Sequence, residues 1–447
     1  MALVHENSAP STKSELDIFQ LPPTQIAVDL AQWVEFRPLN TLTDGGPIEF
    51  VVKGEPDNYL DLAHTQLYIK LRVIKKDGTN LTQETVDADG NKTAGSKVAP
   101  VNLLLHSLFS QADVSFNDRL ISPSSNTYPY RGYLETLLSY GAEAKGTHLG
   151  QALWIKDEAG KFDVNDPWAD APNSGLVKRY NSIKGSKTLE LLGRVHTDAF
   201  SLQKLLLNNI DVKLKFIRQS DAFALMSADE DPSYKINIME AALYVKRVHV
   251  APTIQLAHNR ALEKANAKYH LTKTDVKVIN IQAGNRTVTK DNVFLGELPK
   301  RVILGMVNDA AMSGNFKLNP FHMRHNHITY LSTSINGQQI PSQPLKPDFD
   351  KGEYARAYMS LFSANGNLYR DQGIDISRGE YAEGYTLFAF DISPSIGEDS
   401  LSLIRKGNFR IEMHFAEALT ETVNLLLYAE FDDVFEVTKE RQILVDG

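Results

Sequence analysis

The chain has 447 residues, 42% of them hydrophobic and 23% charged, enough for two or three domains with sizeable cores, which excludes global disorder. Lys and Arg number 47 against 55 Asp and Glu, a net charge of −8, the opposite of the basic field by which a protein grips nucleic acid. There is no cysteine, which excludes a disulfide framework, cysteine-ligated zinc, iron–sulfur clusters and thiol nucleophiles.

Residues 1–25 are polar, carry Pro10, Pro22 and Pro23, and hold no apolar run of signal-peptide length. Nowhere do about 18 apolar residues follow one another. The expectation is a soluble chain made inside a cell and led by an arm, either frayed or ordered only in an assembly.

Strand signals dominate the rest. In chain order they cover 48–52, 66–74, 112–116, 210–217, 235–250, 293–307, 328–335, 385–392, 409–415 and 423–437. Many alternate apolar and polar residues, as in Val212-Lys-Leu-Lys-Phe216 and Leu67-Tyr-Ile-Lys-Leu-Arg-Val73, the period of a sheet with one face in a core. Three stretches, 130–144, 256–268 and 353–362, read as helices. Polar stretches at 75–100, 157–187 and 342–352 read as long loops, unusual unless they have a function or an interface to form. Many strands, few helices and long loops predict antiparallel sandwiches.

A faint duplication runs through these elements. Val114-Ser-Phe-Asn-Asp-Arg-Leu-Ile121 resembles Thr333-Ser-Ile-Asn-Gly-Gln-Gln-Ile340, with Asn117 and Asn336, Ile121 and Ile340, and His106 and His325 all 219 residues apart. Both segments predict a strand, a two-residue Asn-Asp or Asn-Gly turn, and a strand back. A helix face follows in each half, Tyr133/Leu137/Tyr140 and Tyr354/Tyr358/Leu361, offset by 221. Further on, Asn209 to Phe216 matches Asn408 to Phe415 at 199, and Ile236-Asn-Ile matches Val423-Asn-Leu at 187, as Val250 matches Val437. The reading is two similar sandwiches: 1–25 an arm, 26–252 the first, 253–270 a helical connection, 271–440 the second and 441–447 a tail.

Chemistry-bearing residues are few. His322, His325 and His327 form a histidine cluster, and on a strand the last two would share a face as metal ligands might. No third ligand stands at a supporting spacing, and His325 matches His106, which favours a structural role. Asp432-Asp433 and Asp229-Glu230-Asp231 fit no calcium loop. No phosphate loop, nucleophile elbow or zinc-protease helix is present. Lys246-Arg247 reads equally as a nucleic-acid contact or as edge charge against strand pairing. The 17 tyrosines, among them Tyr128, Tyr130, Tyr133, Tyr354, Tyr358, Tyr369, Tyr381 and Tyr385, suit partly dry interfaces or loop anchors. No catalytic, cofactor-binding or metal-binding residue is assigned, and no cofactor is expected.

Tyr59-Leu-Asp-Leu-Ala-His-Thr-Gln-Leu-Tyr-Ile-Lys-Leu71, Asn102-Leu-Leu-Leu-His-Ser-Leu-Phe-Ser-Gln-Ala-Asp-Val-Ser-Phe-Asn117 and Tyr128-Pro-Tyr-Arg-Gly-Tyr-Leu-Glu-Thr-Leu-Leu-Ser-Tyr140 carry a family likeness. With them, the chain from about 26 to 440 resembles the double jelly-roll major capsid proteins of eukaryotic double-stranded DNA viruses, nearest to the hexon-type proteins of the Polinton (Maverick) and adintovirus group. The resemblance implies an all-β fold of two tandem eight-stranded antiparallel jelly rolls with a few short helices in loops. It implies a homotrimer of pseudo-hexagonal outline that tiles an icosahedral shell beside neighbouring capsomers, a single jelly-roll penton and minor capsid proteins. Long loops would form exterior towers and the termini would lie near the base. The location would be the virion, with no strong direct nucleic-acid binding; an internal membrane stays open. No enzyme activity is expected. The competing reading is a double jelly-roll hydrolase acting on carbohydrate or glycoprotein, which would need two carboxylates ~5–9.5 Å apart in a cleft.

Overall fold

The computed structural model describes residues 5–9, 11–19, 21–83, 85–86, 92–93, 95–122, 125–294, 296–371, 373–393 and 403–445. The ends of the expected arm and tail, and residues 84, 87–91 and 94 of the 75–100 loop, lie outside these residues.

Eight strands make the two main sheets of the first half: β1 (Val28–Phe36), β2 (Ile48–Val52), β3 (Asn58–Lys75), β4 (Phe109–Phe116), β5 (Arg119–Leu120), β6 (Leu189–Arg194), β7 (Val212–Arg218) and β8 (Tyr234–Val250); short two-stranded pairs lie in the connections. Alternation places them. In β3, Leu67, Ile69, Leu71 and Val73 are fully buried while Tyr68, Lys70 and Arg72 turn outward, so each strand offers one apolar face to a core. Two four-stranded antiparallel sheets result, in the orders β1-β8-β3-β6 and β2-β7-β4-β5.

The second half repeats this plan with β9 (Ala267–Ile281), β10 (Thr287–Lys290), β11 (Arg301–Asn308), β12 (Ile328–Ile335), β13 (Gln338–Leu345), β14 (Leu387–Asp391), β15 (Phe409–Phe415) and β16 (Val423–Val437). Its sheets run β9-β16-β11-β14 and β10-β15-β12-β13, strand for strand the order of the first, with one addition, the short strand Ile443–Val445 paired to the end of β16. Two sheets of four with this winding are a jelly roll, so the chain is a double jelly roll.

The hairpins at the heart of the duplication superpose in register. β4 and β12 begin and end 219 residues apart. Asn117 and Asp118 have φ of 43° and 67°, Asn336 and Gly337 of 51° and 82°, the left-handed pair that a type I′ turn requires. Asn117 Oδ1 accepts from the Asp211 amide at 2.8 Å, and Asn336 Oδ1 from the Asn408 amide at 2.9 Å. These partners correct one sequence match. Val212 lies opposite Phe116 and Phe409 opposite Ile335, so Asp211 is the counterpart of Asn408, two residues from the Asn209 match. A slip of two keeps every side chain on its face, so alternation could not detect it.

Other differences have local causes. The expected strand 293–307 begins only at Arg301, because Gly296 at φ 90° and Pro299 interrupt it. The helix expected over 256–268 is α3 (Pro252–Leu262), and 267–268 already belong to β9. There, fifteen antiparallel pairs with β16 override helix propensity. β1 and β6 lie outside the strand signals of the sequence because their faces do not alternate cleanly. The loop 157–187 contains α2 (Ser174–Ile183), whose N-cap Asn173 accepts from the Gly175 and Leu176 amides. The long helices of the two halves, α1 (Tyr128–Ser139) and α4 (Ala355–Ala364), occupy the same connection in each roll, but Tyr133 sits inside α1 whereas Tyr354 is the N-cap of α4.

Antiparallel winding sorts the loops into two ends. The chain enters β1, makes the β4–β5 and β12–β13 turns and leaves β8 and β16 at one end, called the base here. The long connections β3–β4, β5–β6, β11–β12 and β13–β14, with α1, α2 and α4, leave from the other. One contiguous apolar core runs through both rolls.

Candidate functional site

The densest chemistry is the seam between the rolls. Residues 155–163, in the β5–β6 connection of the first roll, form a strap across the second. Lys156 Nζ donates to the Asp375 carbonyl at 2.5 Å and to Glu380 at 2.7 Å. Asp157 is buried and saturated: Oδ1 accepts from Arg179 at 2.5 Å and Asn173 at 2.8 Å, and Oδ2 from Asn319 at 3.2 Å. Its carbonyl accepts from Tyr385 Oη at 2.6 Å. The Gly160 amide donates to the Glu383 carbonyl at 2.7 Å, and the Phe162 ring stacks on His322 at 4.9 Å.

Asp163 closes the strap. It accepts from the Asn319 amide at 2.8 Å, from His322 Nδ1 at 2.7 Å and from Arg324 Nη2 at 2.8 Å. Burial pushes its carboxyl up, but the hydrogen bonds from His322, Asn319 and Arg324 outweigh burial and hold it at about 2.

A second polar cluster lies under α1. Arg131 bridges Glu135 at 2.8 Å and Asp198 at 2.7 Å, and Asp198 Oδ1 also accepts from the Thr274 amide of β9 at 3.0 Å. Glu135 meets His196 Nδ1 at 2.6 Å. The His196 and His106 rings pack edge to face 4.5 Å apart, and His106 Nδ1 meets Tyr128 Oη at 2.9 Å. Burial pushes both imidazoles below their usual range, and His196 adds to the effect on His106. Aromatic rings also pack across the seam: Tyr133 stacks on Phe321 at 4.2 Å, and at the base Phe435, stacked on Tyr269 at 4.8 Å, meets Phe116 at 5.7 Å. At the base, Arg441 donates to the Asn208 carbonyl at 3.0 Å and to its side chain at 2.6 Å.

This chemistry orients; each of the charges named above is matched across or beside the seam. Buried pairs of this kind add little net stability but penalise every wrong docking of the two rolls, since an unmatched partner costs about 3–5 kcal/mol.

The residues singled out in the sequence are dispersed. His322 belongs to the seam. His325 stacks on Phe349 at 4.2 Å and His327 meets Asp350 at 3.1 Å. Asn326 and His327 have φ of 46° and 49°, so they form a turn before β12, and His325 and His327 do not share a strand face. Among the described residues, no group of three or more His, Cys, Asp or Glu stands together as metal ligands would. Asp432 meets Lys300 at 2.8 Å and Asp433 lies 3.9 Å from Lys273. Asp229 accepts from the Lys97 amide and from Tyr234. Lys246 and Arg247 lie on β8, a central strand, which corrects the expected edge; Lys246 caps the Trp33 ring at 5.5 Å and Arg247 pairs with Glu55. Among the described residues no helix is long and apolar enough to cross a membrane. The seam residues Asp157, Asp163, Arg131 and Asp198 were not singled out. The length of the 157–187 loop and the tyrosines of α1 were the available signals.

The architecture is that of double jelly-roll capsid proteins. A chain in the cryo-EM structure of the Sputnik virophage matches with a TM-score of 0.62 at 12% identity, covering 100% of this chain and 94% of that one. The mavirus major capsid protein matches at 0.55 and 12% identity, covering 100% and 97%. The Faustovirus major capsid protein matches at 0.57 and 8% identity, covering 96% and 92%. At the sequence level, an uncharacterized protein of Caenorhabditis elegans is 25% identical over 435 residues, 96% of this chain and 100% of that protein. No protein-family model matches.

Proposed function

We propose that the protein is a major capsid protein, a non-enzymatic shell subunit. The observation that carries this reading is the pair of jelly rolls of identical strand order, standing the same way up and locked by a charge-matched seam. Two like rolls in one rigid chain present quasi-equivalent sides, so three chains approximate sixfold packing. Such a trimer closes through heterologous contacts, first roll against second, and obligate contacts of this kind bury more than ~2,000 Å². The Sputnik, mavirus and Faustovirus likenesses support the same reading.

In this proposal the functional units are the arm at 1–25, the first roll at 26–252, the connection at 253–270, the second roll at 271–440 and the tail at 441–447. Trimeric capsomers tile an icosahedral shell together with single jelly-roll pentons and minor capsid proteins, and the protein resides in the virion. The acidic chain leaves genome binding to other components. The nearest group is the Polinton and adintovirus type. An animal relative aligned over its whole length supports that placement.

Sedimentation of the purified chain tests the proposal. A species of about 150 kDa, three chains of 49.9 kDa, is expected, with hexagonal arrays or shells in electron micrographs at high concentration. A stable monomer at micromolar concentration overturns it.

A further inference from the structure

Exposed large apolar side chains cluster near the start of the chain. Of the eighteen exposed among the described residues, eight lie between Leu16 and Leu39. Leu16, Ile18, Phe19 and Leu21 are 67%, 76%, 93% and 93% exposed. Among the described residues, the hydrogen bonds of 5–24 run to other residues of the same segment. The body begins at Ala27, whose carbonyl accepts from the Ala251 amide at 3.0 Å. Between arm and body stand Pro22 and Pro23, a stiff extended spacer. Phe19 stands eight positions before Ala27, a reach of about 26 Å.

A receptor of matching character opens at the same end of the molecule. At the base, residues 297–300 and 403–405 with Ser393, Phe431 and Asp432 line a cleft whose apolar wall is Leu298, Pro299, Leu403, Ile404 and Phe431 and whose polar rim carries Glu297, Arg405 and the paired Lys300 and Asp432. Leu403 and Ile404 are 89% and 64% exposed. Arg405 lines the cleft and exposed Lys406 follows it, while the arm sets Glu15 and Asp17 on either side of Leu16. Solvent-exposed apolar surface of this kind marks an interaction site, and a heterologous contact joins different patches of identical chains.

We propose that the arm segment 15–21 of one chain docks in the Leu298/Leu403/Ile404 cleft of a second copy. This deepens the shell reading and rests on it for the second copy's identity as a neighbouring capsomer subunit. The contact runs laterally along the base, apolar side chains in the cleft and arm carboxylates toward Arg405 and Lys406.

The absence of native cysteine makes the test clean. Chains carrying Phe19→Cys alone and chains carrying Ile404→Cys alone, mixed in equal amounts and mildly oxidised, are expected to give the mixed disulfide dimer in clear excess over the roughly twofold ratio to either homodimer that random pairing produces. A second variant, Phe19→Asp with Leu21→Asp, is expected to melt as the parent does. It should raise the concentration needed for arrays by about tenfold or more, as loss of two buried apolar anchors does. No excess of mixed dimer, or parental assembly by the Asp variant, overturns the arm contact. If the parent chain assembles without mixed dimer, the shell reading stands and the arm contact falls. If the mixed dimer forms while the parent never exceeds a dimer, the arm contact stands and the shell reading falls.

Discussion

The Asp163 carboxylate of the first roll accepts a hydrogen bond from His322 Nδ1 of the second at 2.7 Å. Around this contact the strap 155–163 ties two separately wound rolls into one body, and the stability of the tie can be measured.

Asp163→Ala leaves His322, Arg324 and the Asn319 amide without their shared acceptor. We expect a loss of about 2–3 kcal/mol in denaturant unfolding, since a hydrogen bond to a charged group contributes about 1.5–3 kcal/mol. The carboxyl is held at about 2 when folded against about 3.9 unfolded. Its contribution is therefore complete above about 4 and fades as pH falls toward about 2. A parent whose stability does not decline across that window, relative to the variant, contradicts the assignment.

His106 and His196 are buried as neutral rings and titrate below their ordinary value. Glu135 and Arg131, Arg194 and Tyr128 surround them. Because the unfolded imidazoles take up protons first, stability is intact above about 6.5 and declines as pH falls below it. His106→Gln, which cannot charge, should flatten that decline between pH 6.5 and 5 in thermal melts. An unchanged slope would sink this account.

Gly384 has φ of 118°, and a Cβ there would stand 2.4 Å from the Phe162 ring. Gly384→Ala should cost at least about 2 kcal/mol, from left-handed backbone strain together with overpacking against the strap. Phe162→Leu should relieve part of the penalty in the double variant, and strict additivity in a double-mutant cycle would show that the two do not touch.

The two hairpin turns should respond alike. Asn117→Ala and Asn336→Ala each place a poor residue at positive φ and remove the acceptor of the Asp211 or Asn408 amide. Each is expected to lower stability by about 1–2 kcal/mol, with Gly at the same positions costing less. Unequal losses differing by more than about 1 kcal/mol would break the equivalence of the rolls.

The class of fold was legible because alternation is local. Val212-Lys-Leu-Lys-Phe216 and Phe409-Arg-Ile-Glu-Met413 show their buried faces in any window of five residues, and Asn117-Asp118 and Asn336-Gly337 announce their turns by conformational preference alone. Register was not legible to the same depth. The match of Asn209 with Asn408 missed by two, because a period-two pattern is indifferent to such a slip and only the pairing with Phe116 and Ile335 resolves it. β1 was missed because a largely exposed edge strand has no core face to advertise.

From sequence alone came the sandwiches, the duplication, the absence of thiol chemistry and a charge unsuited to nucleic acid, since each depends on composition or on neighbours a few residues apart. Only the tertiary structure decided where the charges go. Asp157 finds Asn319, and Asp163 finds His322 and Arg324, about 160 residues away along the chain. No local preference encodes such pairs. They exist only where the two rolls meet, because a charge buried there is costly without its partner.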